Sequence, residues 1–181
     1  MKEYFLSSES ERIFKMTQPE LFSTWSYPTE VRFGVGRISE IGDACSALNI
    51  KRPLIVTDTG LADSLIIKNL IELLEVENLK FGFFSKVQGN PVGNNIEEGT
   101  VAFRSGSHDG VIAIGGGSAM DAGKVIAMYQ GQTKRLFDLH VKVEGGPKIN
   151  VDNIAPIIAV PTTAGTGSET GRAGLITDEE V

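Results

Sequence analysis

Fourteen residues, Val111-Ile-Ala-Ile-Gly-Gly-Gly-Ser-Ala-Met-Asp-Ala-Gly-Lys124, join a β-branched apolar run, three successive glycines and a helix-forming stretch. A run without polar alternation reads as a strand covered on both faces, the setting of a central parallel sheet. Gly115, Gly116 and Gly117 remove the side chains that would keep a ligand off the main chain, and Ser118 is expected to cap the helix that follows. The start of a helix offers free N–H donors and the positive end of its dipole, so an anion can be held there without a charged side chain.

The rest of the chain repeats this strand-to-helix pattern. Residues 1–24 are polar and mixed and are expected to form an irregular arm; residues 25–181 are expected to form one α/β domain. Strands are expected over 30–36, 53–57, 79–84, 111–114 and 154–160. Helices are expected over 38–48, 62–74, 94–105 and 119–129, with a weakly patterned excursion over 131–153. Repeated βα units with short connections imply an open, Rossmann-like parallel sheet, right-handed crossovers and helices on both faces. In such sheets ligands sit beyond the carboxyl ends of the strands. Four suspect loops fall at such ends: Asp58–Gly60, Asn90–Pro91, Gly115–Ser118 and Thr162–Ser168.

Several function classes drop out. A net charge of −6 argues against a nucleic-acid surface, which needs a clustered basic face. The longest apolar runs, such as 155–160, are far too short to span a bilayer, and the acidic N-terminus lacks the apolar core of a secretory signal. The single cysteine, Cys45, excludes an internal disulfide and fits a reducing cytoplasm. Its setting in an amphipathic stretch makes it a core residue rather than a nucleophile. His108 and His140 stand alone, with no partner at metal-ligand spacing, and are expected at the surface.

The glycine block is not a Walker loop, because Val125 follows Gly123-Lys124 and Ser118 stands where the first glycine belongs. Nor is it the G-x-G-x-x-G fingerprint, since Met120 replaces the third glycine. Ser118 and Asp121 stand at N-cap and N3 spacing and could simply cap the helix. Capping leaves the three glycines unexplained, which favours phosphate binding. Asp58 could accept hydrogen bonds from a ribose or adenine, or serve only as a turn residue or helix cap. Lys124 could reach a phosphate or pair with Asp121 one turn earlier.

Phe33-Gly-Val-Gly36, Thr57-Asp-Thr-Gly60, Gly89-Asn-Pro91, the block Gly115–Lys124 and Pro161-Thr-Thr-Ala-Gly-Thr-Gly-Ser-Glu169 occur in the order seen in iron-containing (group III) alcohol dehydrogenases, which this chain resembles from about residue 25 onward. The resemblance implies a dehydroquinate synthase-like N-terminal domain that binds NAD(P). It implies that Asp58, Asn90, Gly116, Gly117, Ser118, Asp121, Lys124, Thr162, Thr163, Gly167, Ser168 and Leu175 line the dinucleotide. Asp58 would lie near the adenosine ribose, where an acid repels a 2′-phosphate and favours NAD over NADP. The family's helical metal-binding domain, with Fe2+ or another divalent metal held by an aspartate and three histidines, would lie beyond Val181.

The expected activity is hydride transfer between a small alcohol or aldehyde and the nicotinamide, with the metal polarising the alcohol oxygen. No catalytic or metal-ligating residue is expected within the chain itself, so the chain alone is expected to be inactive, a piece of a longer cytoplasmic dehydrogenase. The stretch 173–181 is expected to be a strand and the start of a turn whose returning partner is missing. Two alternatives are a nucleotide-responsive interaction module and a relative of glycerol dehydrogenase, which shares this architecture. Neither nucleic acid nor membrane is an expected partner, and assembly into a homo-oligomer is left open.

Overall fold

The computed structural model describes residues 22–26, 29–140, 146 and 148–179, so most of the expected N-terminal arm lies outside the described residues. Two compact units part between Arg37 and Ile38. The first contains an antiparallel hairpin of β1 (Phe22–Ser26) and β2 (Glu30–Gly34), in register from Phe22 opposite Gly34 to Ser26 opposite Glu30. Beyond β2, Gly34 (φ 152°) and Gly36 (φ 77°) bracket a fully exposed Val35.

The second unit is an α/β sandwich. Its elements are α1 (Ile41–Ala47), β3 (Pro53–Asp58), α2 (Leu65–Val76), β4 (Gly82–Val87), α3 (Gly93–Ser105), β5 (Gly110–Gly115), α4 (Gly117–Tyr129) and β6 (Ile157–Pro161). The strands form one parallel sheet in the order β4-β3-β5-β6. Side chains alternate between two cores, as the pleat requires. Leu54, Val56, Val111 and Ala113 pack with Ile96 and Phe103 of α3 and Met120, Val125 and Ile126 of α4. Ile55, Ile112 and Ile114 pack on the other face with Ile41 and Cys45 of α1 and Ile67, Leu70 and Leu74 of α2. Both faces being covered explains why these strands carry no polar alternation, and each such Leu or Ile contributes roughly 1.5–3 kcal/mol by burial.

Two glycines let α4 lie close to its neighbours. A Cβ on Gly123 would fall 2.5 Å from Ala113 Cβ on β5, and one on Gly99 of α3 would fall 2.3 Å from Ile126 Cδ1. At its far end α4 is capped from outside, because the Arg104 guanidinium donates to the carbonyls of Gln130 (2.9 Å), Tyr129 (3.3 Å) and Gln132 (3.3 Å). His108, expected at the surface, is instead half-buried at the opposite end of the strands from the suspect loops, its ring packed edge-on against Phe103 and bonded through Nδ1 to the Arg52 carbonyl (3.0 Å). No helix among the described residues is long and apolar enough to cross a membrane.

Several boundaries differ from expectation. The helix expected over 38–48 is α-helical only at Ile41–Ala47, after a 3-10 turn at Arg37–Glu40. β4 begins three residues later than expected, because Leu79 and Phe81 pack into the α1–α2 core before Gly82 pairs with Leu54. The strand expected over 173–181 is not formed among the described residues; a single parallel bridge, Thr177 to Val92, stands in its place.

Candidate functional site

The connection leaving β3 passes to the α2 face and the one leaving β5 passes to the α4 face, while β3 and β5 are neighbours. Adjacent strands whose connections diverge leave a crevice at their carboxyl ends, and Asp58 and Gly115 mark it. The β3–β4 register shifts between Val56 and Asp58, an irregularity of the kind that re-aims a side chain. Asp58 Oδ1 accepts from the N–H groups of Gly60 (3.0 Å) and Leu61 (3.1 Å), so the turn role weighed for this residue is filled. Its Oδ2 would lie 3.0 Å from a Cβ on Gly115.

The glycine turn has one strict requirement and one close approach. Gly115 has φ 150°, and a Cβ there would lie 2.7 Å from Ala119 Cβ; both facts exclude an L side chain. Gly116, not Ser118, is the N-cap of α4, with φ −78° and ψ −172°. The expected Ser118 cap is therefore corrected: Ser118 sits inside the first turn, and its hydroxyl instead accepts from the N–H of Asn90 (3.3 Å). That bond ties the loop after β4, where Asn90 takes φ 55°, to the start of α4. The first N–H groups of α4 have no intrahelical acceptor, and they point out of the glycine turn.

Opposite stands the hydroxyl-rich loop after β6. Thr162 N–H donates to Gly115 O (2.9 Å), Ser168 N–H to Thr166 Oγ1 (3.3 Å), and Thr170 N–H to Gly167 O (3.1 Å). Gly165 and Gly167 take φ of 94° and 72°, which lets the loop double back over the helix start. A Cβ on Gly117 would meet Ser168 Oγ at 3.2 Å and Thr166 Cβ at 3.3 Å.

Between these walls lies a cleft of about 360 Å³, lined by Asn90, Pro91, Gly117, Ser118, Asp121, Thr166, Ser168, Leu175, Ile176 and Thr177. Six residues singled out from sequence meet there: Asn90, Gly117, Ser118, Asp121, Ser168 and Leu175. Thr163 Oγ1 lies 3.5 Å from where a Cβ on Gly116 would stand, and Asp58 sits in the crevice beside Gly115. Thr162, Thr163, Gly167, Gly116, Asp58 and Lys124 are not in the cleft lining. The Lys124 ammonium pairs with Asp121 at 3.0 Å, the i, i+3 alternative. Of the other four lining residues, Pro91 and Thr166 belong to loops already suspected, whereas sequence reasoning missed Ile176 and Thr177, which reach the cleft through the bridge to Val92 and leave no local signal.

A family profile described as iron-containing alcohol dehydrogenase matches residues 28–181. The chain belongs to that family. The choline dehydrogenase of Bacillus subtilis is 33% identical over 166 residues, covering 92% of this chain and 41% of that protein. Among solved structures, a 1,3-propanediol oxidoreductase superposes with a TM-score of 0.74 at 29% identity, covering 90% of this chain and 41% of that one. The sulfoacetaldehyde reductase of Bifidobacterium kashiwanohense, solved in complex with NAD+, superposes with a TM-score of 0.73 at 31% identity, covering 82% and 38%. The chain thus spans about two fifths of the length of these relatives.

Membership of the iron-containing alcohol dehydrogenases implies NAD(P) and a divalent metal. The cleft fits the first, because its lining joins the start of α4, whose first N–H groups have no intrahelical acceptor, to the hydroxyl-bearing residues Ser118, Thr166 and Ser168. For the second, no group of three or more His, Cys, Asp or Glu that could hold a metal occurs among the described residues.

Proposed function

We propose that the chain is the NAD(P)-binding portion of a metal-dependent alcohol dehydrogenase that transfers hydride between a small alcohol or aldehyde and the cofactor. The observation that carries this reading is the glycine turn at the sheet's switch point, where the free N–H groups of α4 open onto a hydroxyl-walled cleft. The backbone of Gly116 and Gly117, with Ser118, would hold the pyrophosphate at the helix start. Asn90, Ser168, Thr162, Thr163 and Gly167 would supply neutral donors and close backbone along the dinucleotide, and Leu175 an apolar wall.

Asp58 would face the adenosine ribose, with one oxygen committed to the turn and the charge disfavouring a 2′-phosphate; this favours NAD over NADP. The bound nicotinamide supplies the hydride chemistry. The chain's own residues bind and orient the cofactor and shield it from water, and the metal that activates the alcohol would be held by the remainder of a longer protein. A cytoplasmic setting fits the single, buried cysteine.

Titrating the 181-residue chain with NADH, followed by nicotinamide fluorescence, tests the reading. Saturable binding that NAD+ displaces is expected, together with no alcohol oxidation by the chain alone. Absence of saturable binding up to millimolar NADH would overturn it.

A further inference from the structure

Lys124, the cation of the glycine block, is directed at protein. Its Nζ lies 3.0 Å from Asp121 Oδ1 and donates to the carbonyls of Ser168 (2.9 Å), Gly171 (3.3 Å) and Ala173. An ammonium has three protons, and here four acceptors surround it. Both side chains of the ion pair are nearly buried, at 11% and 10% exposure. None of the ten cleft-lining residues is a lysine or arginine.

The chain beyond these carbonyls is held by two further contacts. Gly174 lies so close to α4 that a Cβ there would fall 2.5 Å from Val125 Cγ2 and 2.7 Å from Asp121 O. Thr177 N–H then donates to Pro91 O (2.8 Å), beside the parallel bridge to Val92. Residues 168–177 therefore form a strap across the first half of α4, fastened by an ammonium at one end, a glycine contact in the middle and a backbone bridge at the other. The strap carries Ser168, Leu175, Ile176 and Thr177, four of the residues that line the cleft.

We propose that Lys124 is a positioning residue for the cleft: it fastens the strap that forms one wall and does not touch the bound phosphates, which are left to backbone N–H groups and hydroxyls. This rests on the dinucleotide reading of the cleft. It replaces the direct contact expected for Lys124 from resemblance with an action through Ser168 and the strap. Because the cation is already paired, screening by salt has little to act on, and dinucleotide affinity should depend weakly on ionic strength.

The experiment compares the chain with Lys124→Met and, separately, Gly174→Val, which disturbs the strap without touching a charge. Peptide-resolved hydrogen exchange is measured without ligand, and NADH affinity is measured at 50 mM and 500 mM salt. Both variants should speed exchange over 166–177 by about tenfold or more while β3 and β5 stay protected. Both should weaken NADH by about tenfold, and Gly174→Val, which leaves the Lys124–Asp121 pair in place, should keep the ratio of affinities at the two salt concentrations as in the parent chain. A loss of NADH affinity on Lys124→Met with unchanged exchange over 166–177 would mean that Lys124 acts on the dinucleotide through its charge and not through the strap, and would overturn the proposal. So would Gly174→Val loosening the strap yet binding NADH like the parent. Should Lys124→Met unfold the whole sheet, Gly174→Val decides on the same readouts. If the parent chain binds no NADH, the dinucleotide reading fails, while the exchange data still decide whether Lys124 fastens the strap.

Discussion

Gly117 separates the role of the glycine turn from mere foldability. A Cβ at this position would stand 3.2 Å from Ser168 Oγ and 3.3 and 3.4 Å from Thr166 Cβ and Cγ2, so alanine fits after a shift of a few tenths of an ångström. Replacing glycine by alanine within a helix gains about 0.5–1 kcal/mol, which opposes that small strain. Gly117→Ala should therefore leave the unfolding free energy within about 1 kcal/mol of the parent. Gly117→Val adds two methyl groups in a space already closed by the hydroxyl loop, and it must push Thr166 and Ser168 away from the helix start. A hydrogen bond to a charged group is worth about 1.5–3 kcal/mol, so losing one such phosphate contact corresponds to roughly a 10- to 150-fold weaker complex. NADH fluorescence titration gives the affinity, and urea unfolding followed by circular dichroism gives the stability. Valine binding NADH like the parent would refute the placement of the pyrophosphate at this turn. So would a loss of binding that merely tracks a loss of stability across the two variants.

Other consequences are checked more simply. Asp58→Asn retains an acceptor for the N–H groups of Gly60 and Leu61 but removes the charge, so NADPH affinity relative to NADH should rise by about tenfold, the equivalent of 1.4 kcal/mol, in paired titrations. Arg104→Ala withdraws three carbonyl contacts at the end of α4 and should lower stability by about 1–3 kcal/mol in urea unfolding. Burial, and secondarily the charge of Asp109, push the Cys45 thiol up to about 11. The fold therefore favours the neutral thiol: this stability is fully present below the ordinary thiol range and is lost as pH rises through about 11. Native protein at pH 8 should resist iodoacetamide, whereas urea-unfolded protein reacts promptly.

What the sequence reveals depends on how far each determinant reaches along the chain. The β5–α4 junction is legible because its parts are contiguous: an apolar run that needs cover on both faces, then glycines that need an open backbone, then a helix. The same holds for Asp58, whose turn contacts are two and three residues away. Ser118 misleads because local propensity favours it as a cap, while the fold gives its hydroxyl to Asn90, 28 residues earlier, and lets the bare Gly116 backbone begin the helix. The start of β4 misleads because hydrophobicity marks burial, and Leu79 and Phe81 are covered by helices before pairing begins. Lys124 is the strongest case. One of its contacts is the i, i+3 pair that spacing displays, and the others are carbonyls 44 to 49 residues further on. Carbonyls carry no side-chain signature, so no residue pattern could mark them. The identity of the cradle is thus written locally in three glycines, whereas its depth depends on a distant strap that those glycines do not specify.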